Sequence, residues 1–283
     1  MATATTAAPI FGDKLYQERA RAALPILVRQ AEAATPISYS SLAAELGMPN
    51  PRNLNYVLGC VGQTMEYLQI KKGTPIPPIQ CLVVNKATGL PGEGIGWFVV
   101  KKESFADLPL KRRREIIQFE LQRVTAFEGW RGLLADLGLK PQVLDFSAAL
   151  EAAAAYRGAG ESAEHKQLKE FVARNPAVIG LSPAITGDTE LPLPSGDCLD
   201  VSFKSRGAWV AAEIKSTISN AADITRGIFQ CVKYRAVLEA AMLAKNEAPS
   251  ARAILVLGGR MPPEQVLLAN LLGVEFVDGV VPT

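Results

Sequence analysis

The chain has 283 residues, of which 48% are hydrophobic and 20% charged, and a formal net charge of +2. That length exceeds one ordinary domain and supplies apolar surface for one or two cores, while the near-neutral balance excludes nucleic-acid binding driven by bulk charge alone. Residues 1–150 carry 17 Lys+Arg against 13 Asp+Glu and residues 151–283 carry 13 against 15. This mild asymmetry fits a basic gripping module ahead of an acidic catalytic one, and it fits chance equally.

Cys60, Cys81, Cys198 and Cys231 form no CxxC pair, so neither a zinc knuckle nor a disulfide framework is expected, and free thiols in a reducing cytosol are. The start, MATATTAAPIFGDK, lacks a basic region with a long apolar stretch, and no run of about eighteen apolar residues occurs. A soluble, cytoplasmic protein without a membrane partner is the expectation. His165 is the single histidine, which excludes multi-histidine metal centres. Catalysis then falls to carboxylates and lysine.

In chain order, Leu15, Ala20, Ala23, Leu27 and Val28 predict an amphipathic helix over 14–33, bent or interrupted near Pro25. Ser38 or Ser40 can cap a short helix, SLAAELG, that closes on Gly47, and a second helix is expected over 52–67. Helix, turn and helix are followed by CLVVN at 81–85, a Gly-rich turn, and WFVV at 97–100, both expected as strands. That order is what a winged helix requires. ISYSSLAAELG, VLGCVGQTM and PPIQCLVVNKATGLPGEGIGWF resemble the winged-helix domain of alkyltransferase-like DNA-binding proteins over about 65 residues. In that family a Pro-Cys-His-Arg motif precedes the paired valines. Here Ile79-Gln80-Cys81-Leu82 precedes Val83-Val84, with the thiol out of register and no histidine after it. The resemblance therefore implies DNA binding without alkyl transfer, and Cys81 reads as a half-buried strand residue. A small α+β packing domain is the alternative. Lys111 to Arg114, KRRR, opens a helix running toward Trp130, and its charges read as a solvated face.

Residues 147–160, rich in Ala and Gly, read as a connector between a domain over 1–146 and a second over 161–283. In the second domain, Ser162 caps a helix with Leu168, Phe171 and Val172 on its apolar stripe and Asn175-Pro176 at its end. CLDVSFK at 198–204 and WVAAEIK at 209–215 read as two strands of a hairpin turning through Ser205-Arg206-Gly207-Ala208. Lys204 and Arg206 at this turn read as solubilising charges. Alternation puts Glu213 and Lys215 on one strand face, where a buried carboxylate and ammonium are costly unless paired or bound to an ion. Asp200 across the hairpin completes an oxygen site suited to Mg²⁺.

Asp200 followed by Glu213-Ile214-Lys215 resembles the motif of the PD-(D/E)XK nuclease superfamily, with Leu199 where a proline often stands. Glu164 resembles that family's upstream acid, and Gln230 with Tyr234, on one helical face at i, i+4, resembles the QxxxY element of its RecB-like and Cas4-like members. The resemblance implies an α/β fold, a restriction-endonuclease-like mixed sheet flanked by helices, preceded by the smaller winged-helix-like α+β domain. It implies that Asp200, Glu213 and the Ile214 carbonyl hold Mg²⁺, with Mn²⁺ as substitute, that Lys215 orients or activates water, and that Gln230 and Tyr234 support Lys215 or the DNA backbone. His165, in a first helical turn, reads as a bystander. The expected function is a Mg²⁺-dependent DNA endonuclease, with restriction or anti-phage defence suggested by analogy of fold. Two alternatives stand beside it: a DNA-binding or assembly protein with a silent nuclease fold, and a repair nuclease acting on ends, flaps or single strands. Double-strand cutting by one site per chain favours a homodimer.

Overall fold

In the computed structural model, described over residues 6–100, 104–156, 162–205 and 208–282, the chain divides into two compact units, Met1–Leu144 and Asp145–Thr283. In the first, α1 (Leu15–Glu32) runs through Pro25 as one helix and buries Ala20, Ala23, Leu24, Leu27 and Val28. Ser38 is the cap of α2 (Tyr39–Glu45), its hydroxyl accepting from the Ser41 amide at 3.0 Å. The second expected helix is longer than its apolar pattern suggests: α3 (Leu54–Lys72) ends where Gly73 turns left-handed at φ 66°, a conformation that favours glycine.

The expected wing is corrected. Ile37–Ser38 (β1) pairs with Val83–Val84 (β2) in parallel, and WFVV forms one helical turn, α4 (Gly96–Val99), in place of a strand. Four apolar residues in a row carry no readable period, so packing decides. A side chain at Gly96 would lie 2.5 Å from Phe105 Cβ, and one at Gly62 would lie 2.4 Å from Phe98 Cζ. These contacts hold the turn against the core. Cys81 is also corrected: it is fully buried in a 3-10 turn, Ile79–Leu82, and burial raises its thiol pKa well above the ordinary value. KRRR lies in the first turns of α5 (Leu110–Ala126), and α6 (Trp130–Asp136) is a separate helix that buries Trp130.

The second unit opens with α7 (Ser147–Ala155), within the stretch expected to be a connector. Its small side chains let it lie closely on a neighbouring helix, and Ala153 is buried; the rest of the expected connector, 157–160, lies outside the described residues. Ser162 caps α8 (Ala163–Arg174), as its sequence suggests, accepting from the His165 amide at 3.1 Å. A five-stranded mixed sheet follows in the order β3 (Asp188–Pro192), β4 (Cys198–Ser205), β5 (Ala208–Lys215), β6 (Ala251–Leu257), β7 (Glu275–Val277). The first three strands are antiparallel and the last three parallel. Arg206 and Gly207 of the β4–β5 turn lie outside the described residues.

Helices cover both faces of the sheet. Ala211, Leu255 and Leu257 share a core with Ile224, Ile228 and Leu238 of α9 (Ala221–Leu243), while Val210, Ala212 and Ile214 share another with Leu168 and Val172 of α8. Each fully buried Leu, Ile or Val side chain contributes about 1.5–3 kcal/mol. Central β5, covered on both faces, therefore gives Glu213 and Lys215 a fixed, dry setting. The last helix, α10 (Pro263–Leu272), precedes β7. Among the described residues, no helix is long and apolar enough to cross a membrane.

Candidate active site

The β4–β5 ladder pairs Val201 with Ala212, and Asp200 and Glu213 stand one step further on. There a side chain continues the contact: the Asp200 carboxylate accepts, through Oδ2, from the Ile214 amide at 2.8 Å. Ile214 thus enters through its N–H, the contact that fixes Asp200 beside β5. The other oxygen, Oδ1, lies 3.5 Å from His165 Nε2 on α8, with both side chains about one-fifth exposed.

Glu213 and Lys215 lie together as strand alternation requires, with Lys215 Nζ 3.0 Å from Glu213 Oε1. The same ammonium is 3.1 Å from Asp223 Oδ1 in the first turn of α9. Asn220 caps that turn by accepting from the Asp223 amide at 3.0 Å. Burial and the nearby Asp200 charge push the Glu213 carboxyl up to about 7, against the opposing pull of Lys215. Burial works against the Lys215 cation, but Glu213 and Asp223 outweigh it and raise its pKa above the ordinary lysine value. The hydrogen bond to Asp200 likewise raises His165.

Gln230 and Tyr234 form a local relay on α9. Gln230 Nε2 donates to Tyr234 Oη at 3.2 Å, and Oη donates to the Cys198 carbonyl at 3.3 Å. The pair braces the start of β4, two residues from Asp200, whereas the partners of Lys215 are Glu213 and Asp223. Glu164 is not gathered into this cluster. It is exposed at the start of α8, and its own backbone amide and Ser162 lower its pKa. Successive helical residues point about 100° apart, so where His165 turns inward, Glu164 turns out. His165, read from the sequence as a bystander, and Asp223, which the sequence did not single out, both join this candidate site. The only signal for each was its place in the first turn of a helix, next to a segment bearing the motif.

Among the described residues, no three His, Cys, Asp or Glu side chains form a group that could hold a metal unaided. Mg²⁺ makes a smaller demand, because it keeps several waters and takes one or two protein carboxylates plus substrate oxygens. Asp200 and the buried, charge-crowded Glu213 fit that requirement: a cation between them would offset the burial and repulsion that hold Glu213 up.

Close packing fixes Lys215 from behind. A Cβ on Gly227 would sit 2.8 Å from Leu255 Cδ1 and 2.9 Å from Lys215 Cε. Gly227→Ala is expected to cost about 1–3 kcal/mol of stability through overpacking and to displace the lysine. Urea midpoints alongside the separation of Lys215 and Glu213 in a variant crystal structure would check this; an undisplaced lysine at full stability would refute it.

Comparison of the chain with protein families, curated proteins and solved structures finds no match.

Proposed function

We propose that the second unit is a Mg²⁺-dependent nuclease of the restriction-endonuclease-like PD-(D/E)XK kind, hydrolysing phosphodiester bonds in DNA. The observation that carries this reading is the meeting of Asp200, Glu213 and Lys215 at one end of the β4–β5 ladder, with a buried carboxylate next to a buried ammonium. Asp200 and Glu213 would hold the cation, joined by the Ile214 carbonyl as the family likeness implies. Bound there, Mg²⁺ would neutralise charge gathering on the phosphate and lower the pKa of a water. Lys215, charged at neutral pH and braced by Asp223, holds a positive group where that charge develops. His165 orients Asp200 from one side while the Ile214 amide orients it from the other. The basic first unit, with the helix-turn-helix order of α2 and α3, supports a duplex-holding role. Cutting both strands with one site per chain calls for two copies, and restriction or phage defence is the role suggested by analogy of fold.

The test uses the full chain and supercoiled plasmid. Cleavage is expected with Mg²⁺ or Mn²⁺, is abolished by EDTA, and falls at least about 100-fold in Asp200→Asn. Cleavage that is indifferent to EDTA or to Asp200→Asn would overturn the assignment. Salt-sensitive duplex binding with no cleavage under any divalent cation would assign a binding role instead.

A further inference from the structure

In the register of the sheet, Asp200 on β4 stands between Glu190 on β3 and Glu213 on β5. Thr189 pairs with Val201 and Leu191 with Leu199, so Glu190 faces Asp200 on β3 as Glu213 faces it on β5. Like charges directly opposite one another disfavour a ladder, and β3 departs from regular geometry at that residue. Glu190 has φ 56°, in the left-handed region, which is uncommon for any residue but glycine.

The departure has a partner. The Glu190 carboxylate is turned onto the Nζ of Lys169, which stands one helical turn after His165 on α8. The two ends of this pair differ sharply in setting: the Lys169 side chain is 6% exposed and that of Glu190 is 60% exposed. The other Glu190 oxygen accepts from the Cys198 thiol at 3.5 Å. Lys169 and Asp200 both act electrostatically on His165 and on Cys198, so this ammonium belongs to the same cluster as the proposed metal carboxylates. A fixed, buried cation is thus covered by a carboxylate that sits on the surface, on a disfavoured backbone, facing another acid.

We infer that Lys169 is a phosphate-binding cation of the candidate active site, held by Glu190 until a nucleic-acid phosphodiester takes the carboxylate's place. This inference rests on the nuclease reading. A phosphodiester carries the same single negative charge as the carboxylate, so the exchange keeps the buried ammonium paired. The open side of Glu190 gives its side chain room to withdraw into solvent. A merely structural ion pair would lose stability from either end. A covered binding site responds with opposite signs.

The experiment is initial-rate kinetics of the full chain on a DNA duplex with Mg²⁺, together with urea midpoints. Lys169→Met is expected to raise KM about tenfold, the order of one lost charged hydrogen bond, with kcat changed much less, and Lys169→Arg to recover most of the loss. Glu190→Gln, made at an exposed side chain, is expected to lower KM several-fold. A KM that rises in both Lys169→Met and Glu190→Gln, in step with lower urea midpoints, would reduce the pair to a structural one. Cleavage by the unaltered chain with KM indifferent to both substitutions overturns this inference alone. No cleavage by the unaltered chain overturns the nuclease reading, and this inference with it.

Discussion

Lys215→Ala is expected to slow Mg²⁺-dependent DNA cleavage by about 10²–10³-fold, the order of loss when one stabiliser of a developing anion is removed. The ammonium is buried and held between Glu213 and Asp223 at 3.0 and 3.1 Å, so water does not replace it with a positive group. Its removal also takes away one of the influences that lower the Glu213 pKa. Glu213 can then take up a proton, which limits the cost to folding and adds to the loss of cation binding near neutral pH. Lys215→Arg is expected to rescue little, because a planar guanidinium fork does not reproduce the compact ammonium that lies between Glu213 and Asp223. Single-turnover rates at saturating Mg²⁺ decide the matter; a variant cutting at the normal rate removes Lys215 from the chemistry.

Phe203→Ala is expected to cost about 3–5 kcal/mol, the usual range for emptying the site of a buried aromatic ring. Phe203 is 2% exposed, lies opposite Val210 across the β4–β5 pair, and packs in the core that includes Val201 and Val172. The backbone at Gly187 closes over it so tightly that an added Cβ would lie 2.7 Å from the ring. Hydrogen-bonded strands cannot collapse into the space freely, so a large part of the cavity would persist. The observable is a lower urea midpoint with an unchanged slope. A loss below about 1 kcal/mol would mean that the surrounding chain relaxes into the gap.

Glu213 and Lys215 could be placed together because strand alternation is a short-range rule. Gln230 and Tyr234 could be paired because helical spacing is equally local, and their hydrogen bond has that spacing. The winged-helix expectation kept its two helices, whose closing glycines and, for α2, whose Ser38 cap are written locally, but lost its second strand where WFVV offers no period. His165, Asp223, Lys169 and Glu190 were not legible as site residues. Each becomes informative only when α8, β3 or the first turn of α9 is laid against the β4–β5 hairpin. Glu164 shows the converse: a family likeness selected the acid, while the helix directs its neighbour inward.

The arrangement of the hairpin and α9 also bears on how quickly the site assembles. Asp200, Glu213, Lys215, Asp223, Gln230 and Tyr234 lie on two adjacent antiparallel strands and the helix that follows them directly. Contacts between near neighbours in sequence close small loops and form early. The parallel pairing of β5 with β6 must instead wait for the whole of α9 to cross the sheet. The polar centre is thus drawn from one continuous stretch of chain, and β6, from beyond α9, completes the sheet beside it by pairing Leu255 with Glu213 and Leu257 with Lys215.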